Sequence, residues 1–218
     1  VNSKQGRMAI NRNASVFSLT HTMGMKGLLG SDYDFHITEL SIYKRFWLSS
    51  WGRINTYLKG GMVWSKVPFP LLSFPPSNQS FIIQSNSFHL MNNMEFFNDR
   101  YASLDITCEL NGVLFNRLPL IRKLNWREVF GVRALYGGLS DKNNPYANPS
   151  DGELFLFPQR NGVVSSFIMD SDVPYIEYHV GVHNIFKILQ VEYFRRLTYL
   201  DLPDVNKEGI RLMLQFKF

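Results

Sequence analysis

The last nine residues, Ile210-Arg211-Leu212-Met213-Leu214-Gln215-Phe216-Lys217-Phe218, constrain the fold more than any other segment of the chain. On an extended strand Ile210, Leu212, Leu214, Phe216 and Phe218 share one face, and Arg211, Met213, Gln215 and Lys217 share the other. A strand of this kind suits a wall with lipid on one side and a polar lumen on the other. The competing reading is a soluble lipocalin-like barrel or a sandwich.

Bacterial outer-membrane β-barrels commonly close on such a strand. Its final Phe resembles the signal that their assembly machinery recognises. Composition agrees. Among 218 residues, aromatics reach 15%, as interfacial girdles require. Mean hydropathy is only −0.13, and no window supplies the ~20 apolar residues of a membrane helix. Barrels hide in this way because each strand offers only alternate residues to lipid. The single cysteine, Cys108, excludes an internal disulfide and falls on an apolar strand face as a packing residue. The net charge of +5 suits anionic lipid head groups and is too small to argue for nucleic acid. The chain opens on Val1 without a signal peptide. The expectation is therefore a processed chain or the carboxy-terminal part of a longer one, with residues 1–218 all belonging to the barrel.

Alternation recurs along the chain. Candidate strands run over Val16–Met25, Phe35–Leu48, Arg53–Trp64, Tyr101–Leu110, Trp126–Tyr136, Val173–Val182, Ile188–Leu200 and Ile210–Phe218. That makes about eight, each near the length a tilted membrane strand needs. Connections sort by side. Ser49–Gly52, His183–Lys187 and Asn111–Asn125 fall at one end, the periplasmic end by the short-turn rule. The long Ser65–Arg100 and Gly137–Asp172 fall at the other. Trp51 and Trp126 then mark the inner rim, and Trp64, Tyr136 and Tyr175 the outer rim, as aromatic girdles. Within the second long connection, Glu153–Phe157 and Val163–Met169 flank Pro158–Gly162 as an expected hairpin.

The inward face carries the polar chemistry. Glu39, Tyr43, Arg45, Lys59, Asp105, Glu109, Arg127, Arg133, Glu177, His179, Glu192 and Arg211 all point into the lumen in these registers. Their mixed signs suit cross-strand ion pairs or contacts to an inserted loop, with solvated charges in open water as the alternative. A selective pore would show one dominant sign. The Ser65–Arg100 connection is Pro-rich and too apolar to be merely solvated. Its Phe69, Leu71, Leu72, Phe74, Phe88 and Met91 would either enter the lumen or contact a partner. Arg117, Arg122, Lys123 and Arg127 cluster with leucines around Asn111–Asn125, which reads as a docking surface or as a turn packed beneath the barrel.

No hydrolase, zincin, C-x-x-C or phosphate-loop motif is present. Glu177, His179 and His183 lie close in sequence, but a hydrogen-bonded lumenal pair is favoured over a metal site. The expectation is a non-enzyme without cofactors.

Several motifs carry a family resemblance. They are Asn93-Met94-Glu95-Phe96-Phe97-Asn98-Asp99-Arg100-Tyr101, Gly112 to Leu120, Arg127-Glu128-Val129, Tyr136-Gly137-Gly138-Leu139-Ser140 and Gly181 to Lys187. Together they resemble the carboxy-terminal barrel of Bacteroidetes outer-membrane proteins of uncharacterised function. Those proteins have an amino-terminal carboxypeptidase-regulatory-like domain and are relatives of BamA-like assembly barrels. The resemblance implies a barrel of about 16 strands, of which this chain is the second half. It also implies a lumenal position for Ser65–Arg100. The superfamily's lumenal loop carries an Arg-Gly pair that is absent here, which leaves Arg133 or Arg127 to act as the lumenal cation.

The resulting expectation is an outer-membrane barrel that assists assembly, insertion or translocation of envelope proteins. Ile210–Phe218 would be its seam strand. Expected partners are membrane lipid and lipopolysaccharide, the amino-terminal half of the same protein, and other outer-membrane or periplasmic proteins. The rival readings are a passive pore for small solutes and a structural subunit with its loops as interfaces.

Overall fold

Alternating side chains produce eight antiparallel strands in the computed structural model, which describes all residues except 1, 4–5, 8–12, 29, 161 and 216–218. They are β1 (Val16–Gly24), β2 (Phe35–Trp47), β3 (Gly52–Val63), β4 (Arg100–Leu110), β5 (Arg127–Gly138), β6 (Tyr175–Ile185), β7 (Leu189–Arg196) and β8 (Glu208–Leu214). Each pairs with its neighbours in sequence to form one eight-stranded sheet. β1 and β8 are its two edges, and hydrogen bonds do not close it into a ring. Phe216 and Phe218 of the expected terminal strand lie outside the described residues.

The registers sort the two faces cleanly. Phe17, Ile42, Leu58, Leu104, Ala134 and Ile176 form one row across six strands. On the opposite face Tyr43, Tyr57, Asp105, Arg133, Glu177 and Arg196 form another. A one-residue slip would exchange the two sets, so the alternation fixes the pairing.

Connections 25–34, 64–99, 139–174 and 197–207 leave from one end of the sheet, and 48–51, 111–126 and 186–188 from the other. The core lies between connection 64–99 and the polar face, rather than between two sheets. Phe88, Met91 and Phe96 pack on Leu135, Met169 and Tyr175. Val67, Leu72 and Phe97 pack on Val63 and Phe157. Full burial of each such side chain contributes roughly 1.5–3 kcal/mol.

Two expectations need correction here. Tyr175 is no rim residue: it pairs with Leu135 on the covered face and is fully buried against Phe88 and Phe96. Parity decides this, because Tyr175 must share a face with Glu177. The expected hairpin shrinks to a ladder of Gln159–Arg160 with Val163–Val164. Leu154, Phe157 and Met169 are buried instead, so packing overrides pairing for the flanking segments. Of the two places expected for the apolar loop residues, packing against the chain's own sheet holds for Leu72, Phe88 and Met91, which are buried, while Phe69 and Leu71 are half-buried and Phe74 is 43% exposed. Of the other residues expected at the rims, Trp51, Trp64 and Tyr136 are exposed, and Trp126 is half-buried beside Phe115.

The β6–β7 connection is a tight turn closed by the Ile188 N–H donating to the Ile185 carbonyl. Its central residues, Phe186 and Lys187, have φ of 50° and 69°. This left-handed geometry favours Asn-Gly rather than Phe-Lys. Lys187→Gly is therefore expected to raise stability by about 1 kcal/mol. A denaturant titration should show the midpoint move upward.

Candidate functional site

The polar face gathers charges of alternating sign. Asp105, Arg133, Glu177 and Arg196 stand side by side on β4, β5, β6 and β7. Arg133 Nε donates to Asp105 Oδ2 at 2.7 Å, and its Nη1 lies 3.5 Å from Glu177 Oε1. The same Nη1 reaches His89 Nδ1 at 2.7 Å. A guanidinium only donates, so Nδ1 must accept and the imidazole is neutral. Burial and the Arg133 cation push the His89 pKa down to about 3, in accord with that role.

Connection 64–99 completes the row. The backbone N–H groups of His89 and Leu90 donate to the Glu177 carboxylate at 2.9 Å and 3.1 Å, and the Tyr175 hydroxyl adds a third bond at 3.0 Å. Glu95 meets Arg196 in a two-pronged pair of 2.6 Å and 3.2 Å, with both side chains buried. The Asn92 N–H donates to the same carboxylate at 2.7 Å. Arg196 stacks over the Tyr175 ring at 4.8 Å, and Arg211 on β8 donates to the His89 carbonyl at 2.8 Å. Every buried charge of the row thus has a partner, as burial requires.

A second row is held within the wall. Arg53 pairs with Glu109 at 2.6 Å, and Glu192 takes His179 Nδ1 and His183 Nε2 at 2.6 Å and 2.7 Å. The His179 ring fits because the facing position is Gly131, where a Cβ would stand 1.9 Å from His179 Nε2. Lys59 pairs with Glu39 at 2.7 Å beneath the Tyr101 hydroxyl. Among the described residues Arg45 makes no ion pair and bonds to Asn55 and the Tyr43 hydroxyl. Between the loop and β2–β4 lies a cavity of about 270 Å³, lined by Glu39, Lys59, Tyr101, Asp105 and Arg133.

The loop also reaches the sheet edge. Ile83 N–H donates to the Leu212 carbonyl, and Leu212 N–H to the Phe81 carbonyl, both at 2.8 Å. Ile82 thus forms an isolated parallel bridge with Leu212 of β8. At the loop's start, Lys66 bridges Asp151 and Glu153 of connection 139–174. The Lys66 ammonium holds the Asp151 carboxyl below its ordinary value.

All twelve polar residues singled out in the sequence lie on the covered face by register or by flanking position. Ion pairs among the wall residues account for Glu39, Lys59, Asp105, Glu109, Arg133 and Glu177, whereas Arg127 is exposed and makes no ion pair among the described residues. Glu177 does not join His179 and His183, which meet at Glu192 instead. Among the described residues no group of three potential ligands could hold a metal. Sequence reasoning missed His89 and Glu95, and it placed Arg196 on the polar strand face without naming it as a site residue. For Arg196 the signal was there, since it shares parity with Glu192. Nothing local marked the two loop residues, whose partners are distant in sequence.

Residues 1–150 match a family described as a family of unknown function, DUF5686, C-terminal domain. No curated protein and no solved structure matches significantly.

Arg196→Ala leaves Glu95 buried without its cation, and a loss of about 3–5 kcal/mol is expected. Limited chymotrypsin digestion should then cut within residues 64–99. The pair Arg196→Met with Glu95→Leu removes both charges and is expected to restore resistance.

Proposed function

This chain belongs to the DUF5686 C-terminal domain family, and from that premise we propose that it forms part of a bacterial outer-membrane β-barrel assisting the assembly, insertion or translocation of envelope proteins. The apolar face supports a lipid-facing wall. Phe17, Leu19, Leu40, Leu58, Phe130 and Val132 are exposed along it, and a contiguous exposed apolar face of this kind marks a surface that meets lipid or a partner. Among the described residues no helix is long and apolar enough to cross a membrane.

The observation that carries the assembly reading is the parallel bridge between Ile82 and Leu212. An edge strand presents unpaired N–H and C=O groups and accepts further strands by β-augmentation. Leu212 directs both backbone groups away from β7, so Ile210 and Leu214 do the same. Such an edge fits a seam where client strands are received, with the chain's own loop as its resting occupant. The resemblance to BamA-like barrels implies a loop arginine. Here the polarity is reversed, with arginines on the wall and the loop supplying Glu95, the His89 ring and backbone N–H groups.

The cavity beside Glu39 and Lys59 favours a second reading, a pore for small solutes. Planar-bilayer conductance separates the two. The assembly reading expects little conductance in the full-length protein and a rise when Val67–Asn92 is deleted. Steady, large conductance with the loop in place would instead establish the pore.

A locked seam tests the assembly role directly. In a Cys108→Ala background, Ile82→Cys with Leu212→Cys is expected to form a disulfide in isolated outer membranes. That lock should slow the appearance of folded outer-membrane proteins in cells, with recovery on reduction. Equal assembly in locked and reduced cells would count against the role.

A further inference from the structure

Connection 111–126 has features that a merely solvated turn does not need. It contains Arg117, Arg122 and Lys123 and no carboxylate, and none of these cations forms an ion pair among the described residues. Leu120 is 85% exposed, and Leu114, Leu118 and Leu124 are each about half exposed. The segment is nonetheless built, with short 3-10 turns at Phe115–Arg117 and Ile121–Leu124.

Its seat is specific. Glu128 belongs by register to the apolar face, opposite Val182, yet it is buried. The connection folds back over it, and the N–H groups of Leu114 and Phe115 donate to Glu128 Oε1 at 2.9 Å and 2.6 Å. The cationic, leucine-rich segment therefore sits at the rim of the apolar face rather than beneath the polar one. At the same end of the sheet Trp51 is 65% exposed and Phe186 is 82% exposed. Phe186 is held there in a left-handed conformation that disfavours a bulky side chain.

We infer that connection 111–126, with Trp51 and Phe186, is an interfacial collar that docks on an anionic phospholipid headgroup layer. This rests on the membrane-barrel reading above. The short-turn end of such a barrel faces the periplasm, where the bordering leaflet is phospholipid. Leucines at the rim enter the acyl boundary, and the three unpaired cations meet phosphates, as in amphipathic segments that lie in an interface. The absence of any acid between 111 and 125 favours an anionic lipid surface over a protein of mixed charge.

The test uses the full-length protein in phosphatidylethanolamine–phosphatidylglycerol vesicles, in a Cys108→Ala background. A fluorophore is placed at Leu120→Cys, at Leu104→Cys on the apolar face, or at Phe155→Cys in the long-loop region. At position 120 we expect quenching by shallow brominated lipid and loss of quenching by aqueous iodide. At 155 we expect the reverse. Arg117→Glu, Arg122→Glu and Lys123→Glu together should raise iodide quenching at 120 severalfold while lipid quenching at 104 stays unchanged.

Iodide quenching at 120 equal to that at 155, with 104 still quenched by lipid, overturns the collar and leaves the barrel standing. Protection from iodide without quenching by brominated lipid also overturns it, in favour of a protein contact. Loss of lipid quenching at 104 removes the barrel reading, and the collar with it.

Discussion

Asp105, Arg133, Glu177 and Arg196 place alternating charges on four adjacent strands, the last three of them buried and Asp105 half-buried. Removing an ion from water costs several kcal/mol unless partners replace the lost hydration. The wall alone cannot supply them all. Arg133 satisfies Asp105 and reaches toward Glu177, but Arg196 lacks a carboxylate of its own, and Glu177 has oxygen lone pairs to spare. Connection 64–99 provides what is missing, with Glu95 for Arg196 and two backbone N–H groups for Glu177. The position of the loop is thus dictated by electrostatic closure more than by its own conformational preference.

Other features depend on that seat. With His89 and Glu95 fixed, the intervening Leu90 and Met91 are buried, and Phe88, Phe96 and Phe97 fill the space over Leu135, Val63 and Tyr175. The same anchoring brings Phe81–Ile83 to the edge of β8, while Arg211 on that strand holds the His89 carbonyl. Loop position and edge availability are therefore linked through a handful of contacts. A displacement of the loop that frees Leu212 must also disturb the buried pair at Arg196 or stretch the chain between residues 83 and 89. This linkage gives the proposed assembly role a physical form, because freeing the β8 edge would require either disturbing the buried network or extending residues 83–89.

The sequence made the wall legible and the loop only partly so. Period-two alternation from Tyr101 to Leu110 fixes β4 within a residue, since a shift would bury charges against apolar neighbours. The same logic placed Asp105, Arg133 and Glu177 on one face without reference to any contact. It failed at Tyr175, where an aromatic near a strand end was assigned to a rim against its own parity. The hairpin around Pro158 failed for a different reason. Phe157 and Met169 read as strand residues by composition, but the core claims them. His89 and Glu95 carry no periodic signal, and their partners lie 44 and 101 residues away. Such pairings are set by tertiary packing and leave no trace in local spacing. The apolar character of residues 65–100 did foretell burial, though not the arginines that hold them.

Amide hydrogen exchange at His89 and Leu90 in the full-length protein tests the central claim most directly. Their N–H groups donate to a carboxylate with no access to bulk water, so exchange should be slower by orders of magnitude than at exposed Asn86 in the same loop. Glu177→Gln, which removes the negative charge while keeping the shape, should speed both. Exchange at His89 and Leu90 as fast as at Asn86 would mean that the loop is not seated on the charged row, and the account built on that seat would fail.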